Sequence, residues 1–104
     1  MDKNIVTKSS ISITTSQEHI NLGFEPTTLL IYGNRNSDSL PTYIFYHKDE
    51  NGVIHKTWNV STINGNSVPN GALDRIIIDN TGFTIYSEDN ANQIPNATYI
   101  AYKK

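Results

Sequence analysis

Residues 42 to 60 read TYIFYHKDENGVIHKTWNV, two runs of β-branched and aromatic residues on either side of Asn51-Gly52. This stretch constrains the fold more than any other. Asn-Gly between alternating apolar residues is the strongest short-range hairpin signal, because a type I′ turn needs positive φ at both central positions. Such a turn sets Asp49 opposite Ile54, His47 opposite Lys56, Phe45 opposite Trp58 and Tyr43 opposite Val60. One face then carries Tyr43, Phe45, Ile54, Trp58 and Val60. The other carries Ile44, Tyr46, Lys48, His55, Thr57 and Asn59. A three-residue loop would instead pair Ile44 with Trp58 and mix the two faces. Segregation of apolar from polar side chains favours the type I′ register.

The rest of the chain repeats the same grammar. Apolar residues do not recur at helical spacing, and β-branched and aromatic runs lie between clusters of Gly, Asn, Pro and Ser. Strands are expected near 4–14, 27–33, 42–48, 53–60, 73–79, 83–87 and 97–103. About seven short strands in 104 residues, with no linker or low-complexity tract, predict one all-β domain over residues 1–104. The expected architecture is a single antiparallel β-sandwich, jelly-roll-like or Ig-like. Its core should include Phe24, Leu29, Ile31, Phe45, Trp58, Ile76, Ile78, Phe83, Ile85 and Ile100.

Gly-Phe occurs twice at the mouth of a strand, at Gly23-Phe24 and Gly82-Phe83. Glycine can turn the backbone through positive φ, and the following ring can close the end of a two-sheet core. Several strands are apolar on both sides. Leu29 and Ile31 oppose Leu30 and Tyr32, and Ile76 and Ile78 oppose Leu73 and Ile77. A two-layer domain leaves one side of each strand to water, so these second faces predict cover from a loop or another subunit. A homo-oligomer is the expected partner arrangement.

Composition excludes several functions. Charged residues are only 17%, the formal net charge is −2, and Lys and Arg form no cluster beyond Lys103-Lys104. Nucleic-acid binding, which needs a phosphate-neutralising patch, is not expected. Asn supplies 13 of the 104 residues and gives the surface its polarity without charge. There is no cysteine, hence no disulfide framework. No apolar run approaches bilayer length, and residues 1–20 lack the apolar stretch of a signal peptide. Synthesis in the cytoplasm, without membrane insertion, is expected.

The order INLGFEPTTLLIYGNRNSDS, a middle hairpin, LDRIIIDNTGFTIYS, an Asn-rich loop and NATYIAYKK resembles a recurrent bacteriophage domain. It is similar to small β-sandwich domains of tail fibres, receptor-binding proteins and other virion surface proteins. The resemblance spans about residues 20–104 and rests on Gly23, Phe24, Pro26, Gly82, Phe83, Thr84, Ile85, Asn92, Tyr99, Ile100, Ala101 and Tyr102. It implies a non-enzymatic, tail-associated virion protein that binds host cell-surface carbohydrate. The alternative it implies is a capsid or tail decoration protein with no ligand of its own. It also implies contact with other virion proteins, and a trimer if the protein sits on a fibre.

The residues offer little for catalysis. Walker, G-x-S-x-G and H-E-x-x-H patterns are missing, and the adjacent Asp49-Glu50 read as a solvated hairpin tip. His47 and His55 fall on opposite faces in the chosen register, which argues against a shared metal. Ser87, Glu88, Asp89, Asn90 and Asn92 supply oxygen, but without calcium-loop spacing. No metal or cofactor is expected. Sugar recognition needs aromatic faces beside Asn, Thr and His. The candidate patch is Tyr46, His55, Thr57 and Asn59. Loops 34–39, 64–71 and 87–96 extend it, with Arg35, Tyr86, Asn90 and Asn92 as further candidates.

Overall fold

The computed structural model describes residues 5–36, 39–61, 67–69, 76–87 and 93–103. Among the described residues nine strands run in chain order: β1 (Ile5–Ile13), β2 (Glu18–Asn21), β3 (Thr28–Asn34), β4 (Pro41–Lys48), β5 (Ile54–Ser61), β6 (Ser67–Pro69), β7 (Ile76–Asp79), β8 (Gly82–Ile85) and β9 (Ile94–Tyr102). They form a six-stranded sheet, β1-β9-β3-β4-β5-β6, and a three-stranded sheet, β2-β8-β7. All pairings are antiparallel. The fold is therefore the expected antiparallel β-sandwich. The short strands β2 and β6, EHIN and SVP, carry too little alternation to be read from sequence.

Period-two alternation builds the core. From the six-stranded sheet, Leu29, Ile31, Ile44, Tyr46, Trp58, Ala97, Tyr99 and Ala101 point inward, each at most 3% exposed. Ile76, Phe83 and Ile85 answer from the three-stranded sheet, with Ile20, Leu22 and Ile78 packed against them. Phe83 is fully buried and meets Tyr99 edge to face across the sheets, centroids 5.3 Å apart and planes at 83°. Lys56 Nζ donates to the Ile76 carbonyl at 3.2 Å and ties the sheets together at one side.

The β4–β5 register differs from the expected one by one residue. Lys48 pairs with Ile54, His47 with His55, Phe45 with Thr57 and Ile44 with Trp58. The turn decides this. Gly52 has φ 81°, whereas Asn51 does not have the positive φ that a type I′ turn requires. Gly52 N donates to Asp49 O and Asp49 N to Val53 O, both at 2.9 Å, which makes a three-residue loop closed by a left-handed glycine. The Asp49 carboxylate secures it, accepting from Asn51 N and Val53 N at 2.9 Å each. Every side chain of β4 is thereby reversed relative to the expectation. Ile44 and Tyr46 are inside, and Phe45, expected in the core, is 36% exposed.

Other core expectations hold in part. Leu29, Ile31, Trp58, Ile76, Phe83 and Ile85 are buried, while Phe24, Ile78 and Ile100 are half-buried. Ile13, Ile44, Tyr46, Ile94, Ala97, Tyr99 and Ala101 join the core beyond the expected set.

The two Gly-Phe pairs meet in space. Asn21 pairs with Gly82, and the Thr81 carbonyl accepts from Leu22 N at 2.7 Å and Gly23 N at 3.1 Å. Gly82, at φ 157°, lies so close to β2 that a Cβ there would collide with the Ile20 carbonyl oxygen. Its absence lets β8 approach β2 and places Phe83 in the core.

Candidate functional site

The reversed register changes which residues face solvent on the six-stranded sheet. Tyr46 is 2% exposed and points away from His55, Thr57 and Asn59. Burial, with the Glu25 carboxylate as the smaller cause, raises its phenol pKa. It cannot belong to the expected patch. Tyr43, on the other side of the pleat of β4, takes the place beside Asn59.

The solvent face can be built row by row from the pairings. Tyr102, Thr28, His47 and His55 form one row across β9, β3, β4 and β5. Ile100, Leu30, Phe45 and Thr57 form the next. Thr98, Tyr32, Tyr43 and Asn59 form the third. Tyr32 is 40% exposed, Tyr43 49% and Tyr102 39%. The face thus mixes open aromatic rings with hydroxyl, amide and imidazole groups.

His47 and His55 are directly opposite on this face, not on opposite faces as expected, with ring centroids 6.3 Å apart. Phe45 continues the line of rings, 6.2 Å from His47 and inclined by 25°. The Thr28 hydroxyl lies 2.8 Å from His47 Nδ1, and His55 Nε2 lies 3.2 Å from Asp49 Oδ2. The Val53 amide, then the His55 ring, holds the Asp49 carboxyl below the usual carboxylate range. No group of three or more His, Asp or Glu side chains suited to a metal ion occurs among the described residues.

A cleft opens at each end of the face. One, of about 370 Å³, is lined by Thr28, His47, Asp49, Glu50 and Tyr102 among others. The other, of about 420 Å³, is lined by Tyr32, Asn34, Arg35, Asn36, Asn96 and Thr98 among others. Arg35 is therefore at the rim of this face, just past β3, and its backbone N donates to Leu40 O at 2.9 Å. Tyr86 is half-buried and follows β8 in the other sheet, so it does not join the patch. Asn90 and Asn92 lie outside the described residues, as do Glu88, Asp89 and most of the 64–71 loop.

Sequence reasoning missed Tyr32, Tyr43, Phe45, His47 and Tyr102 as surface residues. For Tyr43, Phe45 and His47 the signal was available at Asp49 and Gly52, since Asp at the first and Gly at the last position mark a type I turn.

A second Asp–His pair sits on the three-stranded sheet. Asp79 Oδ1 accepts from Thr81 N and Thr81 Oγ1 at 2.8 Å and from Gly82 N at 3.0 Å. His19 Nε2 lies 3.1 Å from Asp79 Oδ2. The Thr81 hydrogen bonds, with a smaller part from His19, lower the Asp79 pKa to about 2. This arrangement is the clasp of the β7–β8 turn.

No family model, curated protein or solved structure matches the chain.

Proposed function

We propose that this chain is a non-enzymatic bacteriophage virion surface protein, tail-associated, that holds host cell-surface carbohydrate on the outer face of its six-stranded sheet. One observation carries the carbohydrate reading. Tyr32, Tyr43, Phe45 and Tyr102 stand 36 to 49% exposed on one face, interleaved with Thr28, Thr57, Thr98, Asn59 and His55. An aromatic face offers a platform for the apolar side of a sugar ring, and the polar neighbours offer hydrogen-bond partners to its hydroxyls. The bacteriophage and tail assignments rest on the motif order of the sequence. The virion is the proposed location, after synthesis in the host cytoplasm.

Binding per site is expected to be weak, about millimolar to micromolar, and made effective by several copies on one particle. A homo-oligomer, with a trimer as the fibre-compatible form, and contacts with other virion proteins complete the proposal. Glycan-array and host-cell binding assays on a multivalent form test it. Binding that is lost in Tyr43→Ala supports the reading.

A second reading, a decoration protein without a ligand, is favoured by a different observation. Ile77 on β7 is 47% exposed and Ile54 on β5 is 52% exposed, and both line one cleft with Glu25, Lys48 and Lys56. These apolar groups suit a subunit contact. Virions that assemble around the protein but show no binding to host cell walls would select this second reading.

A further inference from the structure

The two clefts of the outer face share strand β3. Thr28 lines one and Asn34 the other. Six residue steps along β3 separate them, roughly 20 Å at strand rise. Between them run Leu30, Phe45 and Ile100 in one row, then Tyr32 and Tyr43 in the next. The passage therefore has an apolar or aromatic floor at each step along the strands.

Charge is distributed unevenly along this path. The three rows from Tyr102 to Asn59 contain no Asp, Glu, Lys or Arg. Acidic Asp49 and Glu50, with Lys48, line the cleft at one end. Arg35 lines the cleft at the other. A ligand lying along the path meets neutral groups through its middle and charged groups only at the ends.

We infer that the two clefts are the ends of one continuous track, and that its ligand is a run of several sugars within a linear neutral polysaccharide rather than one terminal sugar. This rests on the carbohydrate reading above. A single sugar ring covers one row, whereas Tyr102 and Tyr32 are four residue steps apart along β3, roughly 13 Å. Only an extended ligand stacks on both. A protein partner fits less well, because the apolar stretch of Ile100, Leu30 and Phe45 is short and every row carries threonine, histidine or asparagine beside it.

The test is calorimetric titration of the intact protein with β-1,4-linked N-acetylglucosamine, β-1,4-linked glucose and α-1,4-linked glucose oligomers. Each series runs from the monosaccharide to the hexasaccharide. In at least one series, affinity is expected to rise roughly tenfold or more between the disaccharide and the hexasaccharide, a change of about 1.4 kcal/mol or more. Tyr32→Ala and Tyr102→Ala, at opposite ends, should each lower hexasaccharide affinity, and Tyr32→Phe should retain it. Both rings are exposed, and thermal unfolding of each variant confirms an intact fold. Equal affinity for monosaccharide and hexasaccharide overturns the track and leaves the carbohydrate reading standing. No binding by any oligomer overturns both. Self-association that Tyr43→Arg abolishes, without sugar binding, assigns the face to a second copy of the chain and also overturns both.

Discussion

Phe83 and Tyr99 face each other edge-on across the sandwich, 5.3 Å between centroids. They belong to different sheets, so this contact joins the layers. Phe83 is fully buried, and burial raises the Tyr99 phenol pKa. Phe83→Ala removes the ring and leaves a cavity against Tyr99. The expected loss is about 3 to 5 kcal/mol, measured by urea denaturation. A loss below about 1 kcal/mol would count against the central place given to this ring.

The register of β4 and β5 makes opposite expectations for two tyrosines of β4 that point to opposite faces. Tyr46→Ala should destabilise strongly, by about 3 kcal/mol or more, as for other large buried rings. Tyr43→Ala, on the solvent side, should change stability by about 0.5 kcal/mol or less while abolishing sugar binding. The type I′ register exchanges these outcomes, so thermal melts of both variants decide between the two registers.

Two glycines separate conformational cost from steric cost. Gly52 has φ 81° and open space around the position a Cβ would take. Gly52→Ala should therefore cost only the left-handed backbone penalty, about 1 to 2 kcal/mol. At Gly82 a Cβ would strike the Ile20 carbonyl. Gly82→Ala should be clearly more destabilising, because β2 must move away from β8. Comparable denaturation midpoints for the two variants would contradict the close β2–β8 approach.

The Asp79 clasp predicts an acid transition. Its carboxyl titrates at about 2 in the folded protein, against about 3.9 in an unfolded chain. A depressed folded pKa means that the unfolded state takes up the proton first. The stabilisation is thus complete above about pH 4 and is lost as pH falls toward 2. Asp79→Asn should lower stability at neutral pH and flatten the stability profile between pH 4 and 2. An unchanged slope, followed by chemical denaturation at several pH values, would remove Asp79 as its source.

Much of the fold was legible because alternation is local. Leu29 and Ile31 against Leu30 and Tyr32 could be read from β3 alone, and strands near 73–79 and 83–87 could be read from their apolar runs. The site was less legible because a face assignment depends on a single turn. Tyr43, Phe45, Ile54, Trp58 and Val60 form an attractive apolar set, and collecting them on one side required the type I′ register. The Asp49 carboxylate, by bonding the Asn51 and Val53 amides, supports a longer loop instead. Tertiary packing then accepts Ile44 and Tyr46 inside and leaves Phe45 in solvent. No pattern within β4 distinguishes these outcomes, since both of its faces are rich in apolar and aromatic residues. Strand β2 was not legible because it owes its place to pairing with β8, where Ile20 meets Phe83, 63 residues later in the chain.

Strand β1 pairs antiparallel with β9, and Ile5 lies opposite Tyr102. A load applied through these two residues would act across the end of the ladder. It would open the backbone hydrogen bonds one after another, as a zipper, instead of shearing many at once. Mechanical resistance under such a pull should be low, whatever the thermodynamic stability of the sandwich. Single-molecule stretching from positions 5 and 102 should therefore detach β1 at small force. Pulling between Thr28 and Tyr102, which pair at one end of β3 and β9, should meet the same peeling geometry. Pulling between Thr28 and Thr98, at opposite ends of that pairing, loads the ladder lengthwise and should require much more.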